Sequence, residues 1–143
     1  MHRILLAEDN KINQVVAAGA LKKLGFLVDI VDDGVAAAAA CAADEYDAVL
    51  MDVMMPVMDG YQATRAIRQH ERWLGLAPVP IIGLSARALA GDREVALDAG
   101  MDDYLTKPIR TAELEAALAR FLPASGDQEH DPTAPTALFA ASS

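Results

Sequence analysis

The feature that most limits the possible folds of this chain is a repeated alternation of short apolar runs with helical segments. Each apolar run has the length of a buried strand and is followed by turn residues and a segment with helical spacing. Such alternation predicts a parallel sheet with helices on both faces, joined by right-handed crossovers. The predicted strands are Arg3–Ala7, Leu27–Val31, Asp47–Met51, Ile81–Leu84 and Asp103–Thr106.

The helices between these strands have recognisable ends. Asn10 is a predicted N-cap of the first helix, which ends at Gly25, and Thr111 is a predicted N-cap of the last. Glu113 places a negative charge in the first turn of that last helix, where the helix dipole favours it. The predicted helices are Asn10–Leu24, Val35–Ala43, Asp59–Trp73, Leu89–Ala99 and one from Thr111 with Leu114, Leu118 and Leu122 on one face.

Composition predicts one soluble domain followed by a tail. The chain has 143 residues, 53% of them hydrophobic, which suffices for one core over residues 1–123. Residues 124–143 carry acids but no Lys or Arg, and their Pro, Ser, Thr and Ala content predicts disorder. The longest apolar stretch is too short to span a bilayer and no signal peptide is visible, so we expect a cytoplasmic protein. The net charge of −9 argues against direct binding to nucleic acid.

Polar residues follow four of the predicted strands, where ligands of open α/β sheets bind. Glu8 and Asp9 follow the first strand, Asp52 the third, Ser85 the fourth and Lys107 the fifth. Because ligands bind outside the carboxyl ends of such strands, we expect these five side chains to converge. Taken singly, each acid could simply end a strand, Ser85 could cap a helix and Lys107 could be a surface charge.

Three adjacent carboxylates would repel one another unless a cation lies between them. Mg²⁺ prefers oxygen ligands and is usually held by a few carboxylates and a phosphate. Asp9 and Asp52 are the predicted direct ligands, Glu8 binds directly or through water, and the backbone carbonyl of Met54 is a further predicted ligand.

Lys107 and Ser85 are the residues that could bind a phosphoryl group on Asp52. An Asp nucleophile that forms an aspartyl phosphate is established chemistry. Lys107 would offset the added charge, and Ser85 would donate a hydrogen bond. The set therefore indicates Mg²⁺-assisted phosphoryl transfer to Asp52.

These residues closely resemble the receiver domain of two-component response regulators, over about residues 3–122. The resemblance implies an α/β fold of the flavodoxin-like (βα)5 type, a doubly wound five-stranded parallel sheet in the order 2-1-3-4-5. The matching segments are Ile4–Asn10, Leu50–Gly60, Ile82–Ala86 and Gly100–Ile109.

The resemblance also implies a role for each site residue. Asp52 matches the phosphoacceptor, which takes its phosphoryl group from a phosphohistidine, and Glu8 and Asp9 match the acidic pair that binds Mg²⁺. Lys107 matches the lysine that contacts the phosphoryl group, and the Lys107–Pro108 bond is commonly cis in the family. Two residues match the family's switch. Ser85 matches the hydroxyl that moves to the phosphoryl group, and Tyr104 matches the aromatic residue that rotates inward when the hydroxyl moves.

The resemblance narrows the partners as well. The segments Glu8–Gln14 and Leu89–Arg93 look like those of receivers attached to hybrid sensor kinases, which work in phosphorelays with a histidine phosphotransfer domain. The expected partner is therefore a histidine kinase or a histidine phosphotransfer domain, and the kinase could be covalently linked in a parent chain. A stand-alone receiver is the alternative. The resemblance implies no direct binding to nucleic acid or membrane, and catalysis only of the domain's own phosphorylation and dephosphorylation.

Three other classes fit the sequence less well. An aspartyl phosphatase of the haloacid dehalogenase type would need a second Asp two residues after the nucleophile, where Met54 stands. A flavodoxin-like electron carrier would need a phosphate-binding loop, and Glu8–Lys11 is a poor one. A purely structural adaptor would not need all five site residues.

Overall fold

The computed structural model, which describes residues 2–86 and 90–122, contains one sheet of five parallel strands. The strand order is β2-β1-β3-β4-β5, as the resemblance implied. The strands are β1 (Arg3–Ala7), β2 (Leu27–Val31), β3 (Ala48–Asp52), β4 (Ile81–Ser85) and β5 (Asp103–Thr106). The helices that connect and follow them are α1 (Lys11–Lys23), α2 (Gly34–Ala43), α3 (Gly60–Leu74), α4 (Asp92–Ala99) and α5 (Thr111–Phe121). The predicted tail, residues 124–143, lies outside the described residues.

Two strands end one residue later than predicted, and this places site residues inside the sheet. β3 begins at Ala48, and Asp47 before it is bonded to Arg3 twice: its backbone N–H donates to the Arg3 carbonyl at 2.8 Å, and its carboxylate accepts the Arg3 N–H at 2.7 Å. At its other end Asp52 is paired in register with Leu84, so the carboxylate leaves the last residue of the strand. Ser85 is likewise in β4, opposite Thr106.

The helix caps were predicted with mixed success. Asn10 caps α1, and its side chain accepts the N–H of Asn13 at 3.0 Å. The prediction that Thr111 is an N-cap is wrong: Arg110 has the extended backbone of the cap residue, and its carbonyl accepts the N–H of Leu114. Thr111 is already helical. The predicted start of α4 at Leu89 falls outside the described residues, and the described helix begins at Asp92.

The sheet divides the core into two layers. Ile4 and Leu6 of β1 face α1 and α5, whereas Leu5 and Ala7 face α2, α3 and α4. Because β1, β3 and β4 are covered on both sides, their apolar residues are almost fully buried, as parallel strands usually are. The polar side chains at the carboxyl ends of these strands therefore extend from the most deeply buried strands of the sheet. In the described part of the chain, no helix combines the length and the hydrophobicity needed to cross a membrane.

Candidate functional site

Two glycines pack so closely against the backbone around the loop after β3 that no side chain would fit in their place. A Cβ atom at Gly60 would lie 2.3 Å from the Asp52 carbonyl oxygen, so only glycine allows α3 to start this close to the strand. Gly34 is equally confined, because its Cβ would lie 2.2 Å from the Met58 carbonyl, which accepts the Gly34 N–H at 3.1 Å. Within the same loop, Val57 has a φ of 70°, and the Met58 N–H donates to the Pro56 carbonyl in a tight γ-turn.

Three carboxylates meet at the carboxyl ends of β1 and β3. Glu8 and Asp52 are buried, whereas Asp9 is exposed. One oxygen atom of each carboxylate lies within 4.8 Å of the others. The predicted convergence of the acids is therefore confirmed. Hard oxygen donors at this spacing, open to solvent on the Asp9 side, fit a small divalent cation such as Mg²⁺.

Lys107 neutralises part of this charge. Its Nζ atom lies 2.9 Å from Glu8 Oε1 and 3.1 Å from Asp52 Oδ1, so a single ammonium bridges both buried acids. The Lys107–Pro108 peptide bond is cis, as the resemblance implied, and the Lys107 N–H donates to the Ser85 carbonyl at 2.6 Å. The ammonium is thus held from β5 over the ends of β1 and β3.

The burial of these charges changes their pKa values. Burial raises the pKa of Asp52 to about 6, with a further contribution from the Glu8 carboxylate, while Lys107 acts in the opposite direction. Burial alone would lower the pKa of Lys107, but its hydrogen bonds to Glu8 and Asp52 outweigh that effect and raise it. Lys107 therefore stays charged near neutral pH, and Asp52 is mostly ionised above its raised pKa.

The two predicted switch residues lie at different distances from the carboxyl edge of the sheet. Ser85 is buried at the end of β4 and follows Leu84, the residue paired with Asp52. Tyr104 lies two residues before the end of β5, half-buried, and its hydroxyl donates to Asp92 Oδ2 of α4 at 3.3 Å. Ser85 therefore lies at the carboxyl end of the strand next to Asp52, and its role toward a phosphoryl group stays a prediction, whereas Tyr104 connects the edge of the sheet to α4.

Met54 lies just past the acidic cluster. Its side chain is exposed on the loop after β3. The assignment of its backbone carbonyl as a cation ligand stays a prediction.

The sequence reasoning missed Gln14, which contacts the acidic turn. Gln14 is 6% exposed, and its Nε2 atom donates to the Glu8 carbonyl at 2.5 Å and to Asp32 Oδ1 at 2.7 Å. A signal was available, because Gln14 has helical spacing with the buried Ala17, Ala18 and Leu21.

A second network that was missed joins α3 to the loop before β5. Arg68 donates to Glu71, Asp102 and the Gly100 carbonyl at 2.8 to 2.9 Å. Glu71 in turn accepts the Val79 N–H at 2.8 Å. This network lies at the opposite end of the sheet from the three carboxylates, so it stabilises the fold and does not contact the site.

Comparison with known proteins gives a consistent result. The family model described as "Response regulator receiver domain" matches residues 4–119. The sensor histidine kinase GacS of Pseudomonas protegens is 42% identical over 119 residues, which are 83% of this chain but only 13% of that kinase.

Two solved structures are informative. The receiver domain of the sensor histidine kinase PA1611 from Pseudomonas aeruginosa, with a magnesium ion coordinated in its active site cleft, is 50% identical with a TM-score of 0.76, covering 84% of this chain and 96% of that one. The receiver domain of Ssk1 from Saccharomyces cerevisiae, solved with the histidine phosphotransfer protein Ypd1, belongs to a structure that matches at 30% identity and a TM-score of 0.80, covering 84% and 88%.

Proposed function

The chain belongs to the response regulator receiver domain family, and on that premise we propose that Asp52 accepts a phosphoryl group from a phosphohistidine in a two-component system or phosphorelay. The observation that carries this assignment is the single ammonium of Lys107 between Glu8 and Asp52, beside the exposed Asp9. This arrangement places the carboxylate of Asp52 beside an ammonium that can attract an anionic donor. The activity is confined to the domain's own phosphorylation and dephosphorylation.

The transfer is a substitution at phosphorus. An Asp52 carboxylate oxygen attacks, the new P–O bond forms as the P–N bond to the donor imidazole breaks, and the imidazole leaves with the electron pair of that bond. Lys107 lies where it can pair with the phosphoryl oxygens, and the Ser85 hydroxyl donates to another of them. Mg²⁺, held by Glu8, Asp9 and Asp52, would neutralise the charge that develops on the transferred group.

The signal that follows is a shift between conformations. The added negative charge gives Ser85 and Lys107 new partners and favours an active arrangement of the last loops. Tyr104 is the proposed relay, because its hydroxyl already contacts Asp92 at the start of α4. A movement of Tyr104 would release or shift that helix.

The partner that delivers the phosphoryl group would dock on an apolar rim beside the acidic cleft. The rim residues are between 56 and 85% exposed, although all are apolar. Val57 is the most exposed, and its positive φ is unfavourable for a β-branched residue, so the fold alone gives no reason for a valine there. A histidine kinase or a histidine phosphotransfer domain would bury this surface. The rim consists of Ile12, Val15 and Val16 of α1 with Met54 and Val57 of the loop after β3.

The parent context is also part of the proposal. Because the relative GacS is a sensor histidine kinase and the matched residues are 13% of its length, we infer that this chain serves a hybrid sensor kinase in the cytoplasm, with a stand-alone receiver as the alternative.

A small-molecule donor tests the proposal directly. The purified chain is incubated with phosphoramidate and Mg²⁺, and the increase in mass by one phosphoryl group is measured by intact mass spectrometry. We expect incorporation in the wild type, none with EDTA, and none in the Asp52→Asn variant. Incorporation that persists in Asp52→Asn, or a wild type that accepts no phosphoryl group with Mg²⁺ present, would refute the proposal.

A further inference from the structure

We propose, building on the function above, that Gln14 is a positioning residue that holds the Glu8–Asp9 turn in the geometry needed to bind Mg²⁺. The first line of support is its burial. α1 turns apolar side chains such as Ile12 and Val15 to solvent, whereas the polar Gln14 faces inward and is 6% exposed. Burying an amide is unfavourable unless its hydrogen bonds are made, so its partners determine what this side chain does.

Those partners belong to two different segments of the chain. One amide hydrogen of Gln14 goes to the Glu8 carbonyl at the end of β1, and the other goes to the Asp32 carboxylate just after β2. Both hydrogens of the Nε2 atom are thus used, and α1 is connected to the carboxyl ends of two strands. Asp32 also lies 3.9 Å from Lys11 Nζ, so its charge is partly balanced.

The Glu8 carbonyl is the contact that matters for the site. The Glu8 N–H continues the sheet by donating to the Val31 carbonyl, and the Glu8 carboxylate accepts the Asn10 N–H at 3.2 Å. Its carbonyl belongs to the peptide plane that leads into Asp9, so the bond from Gln14 fixes the direction in which Asp9 leaves the sheet. The exposed Asp9 has no comparable burial to hold it in place.

Mg²⁺ is sensitive to such a loss, because it requires nearly ideal octahedral geometry. Removing a group that orients a metal ligand typically lowers affinity by 10- to 100-fold. We therefore expect Gln14→Met, which keeps the side-chain size but removes the donor, to raise the Kd for Mg²⁺ by about tenfold.

The decisive measurement is the Mg²⁺ affinity of the folded chain by isothermal titration calorimetry, together with the rate of phosphorylation by phosphoramidate. If Gln14 only positions Asp9, the rate of Gln14→Met at saturating Mg²⁺ should recover to within about twofold of wild type, while half-saturation moves to higher Mg²⁺. Gln69→Met makes the same change at an exposed position of α3 and should leave both quantities unchanged. A folded Gln14→Met with wild-type Mg²⁺ affinity would overturn the inference.

A measurement on the wild type covers the case in which the variant does not fold. The side-chain amide resonances of Gln14 should shift during an Mg²⁺ titration with the same Kd as the calorimetric one, and their absence of response would also overturn the inference. Failure of the proposed function itself would look different. In that case the wild type would bind no Mg²⁺ and accept no phosphoryl group, whatever residue stands at position 14.

Discussion

The ionised carboxylate of Asp52 should destabilise the folded chain in the absence of Mg²⁺. Its pKa is raised from 3.8 to about 6, so the folded state holds the proton more tightly than the unfolded state. That difference corresponds to a penalty of at most about 3 kcal/mol in unfolding free energy once the group is ionised. Asp52→Asn removes the charge and keeps an oxygen that can accept from Lys107. We expect the variant to be more stable than wild type by up to about 3 kcal/mol at neutral pH.

The sign of the pH dependence follows from the raised pKa. Below pH about 4 Asp52 is protonated in the folded state and largely so in the unfolded state, so the penalty is small. It grows between pH about 4 and 6 and is complete above that range. The stability difference between Asp52→Asn and wild type should therefore be large at pH about 7.5 and close to zero at pH about 4.

Mg²⁺ should reverse the order of stability. Binding to the folded wild type adds about 4.1 kcal/mol at a concentration about 1,000 times the Kd, which exceeds the penalty of at most about 3 kcal/mol, and Asp52→Asn lacks one of the proposed ligands. The assay is urea unfolding followed by circular dichroism, at both pH values, with EDTA and with Mg²⁺.

A matched variant separates the buried charge from net charge. Glu115→Gln removes one negative charge from an exposed position of α5 and should change the unfolding free energy by less than about 0.5 kcal/mol. The reasoning is refuted if Asp52→Asn is no more stable than wild type in EDTA at neutral pH. A gain that persists undiminished at acidic pH would refute it equally.

Three further predictions use matched pairs or paired donors. Gly60→Ala should lower the free energy of unfolding, measured by thermal unfolding, by about 1–3 kcal/mol because its Cβ would meet the Asp52 carbonyl. Gly19→Ala, with open space around it on α1, should raise that free energy by up to about 1 kcal/mol. Equal effects of the two substitutions would contradict the crowding argument. Arg68→Met should lower the free energy of unfolding in urea by about 3–5 kcal/mol because it removes the ion-pair partner of the buried Glu71. The matched substitution Arg65→Met, at an exposed position, should change that free energy by less than about 0.5 kcal/mol. Val15→Glu, on the apolar rim, should slow phosphotransfer from a histidine phosphotransfer protein at least about tenfold and leave phosphorylation by phosphoramidate unchanged; equal slowing with both donors would instead indicate damage to the site itself.

The fold was readable from the sequence because its signal is local. Each strand is a short apolar run, and the carboxyl ends of parallel strands must share one edge, so Asp52 and Lys107 could be placed together without a structure. The errors concern backbone detail. Thr111 has the side chain of an N-cap, but the cap is the residue whose backbone stays extended while its carbonyl starts the helix, and that residue is Arg110.

The missed contacts are those that depend on the tertiary arrangement. Gln14 could be placed on the buried face of α1, but its acceptor Asp32 reaches it only because β2 pairs with β1. Arg68 and Asp102 are 34 residues apart and meet through the packing of α3 against the end of α4. Nothing in the spacing of either residue indicates the other.

Lys107 gives the acidic cleft a counterion that is covalently part of the chain and cannot diffuse away. Its ammonium already pairs with both buried carboxylates, so the charge balance there does not depend wholly on the supply of free cations. A structural zinc site, by contrast, often leaves its domain unfolded when the metal is withdrawn. This domain should persist through metal depletion as a folded but chemically idle acceptor. Fluctuations in Mg²⁺ would then change the free energy of unfolding and the rate at which Asp52 is phosphorylated, while the chain stays folded.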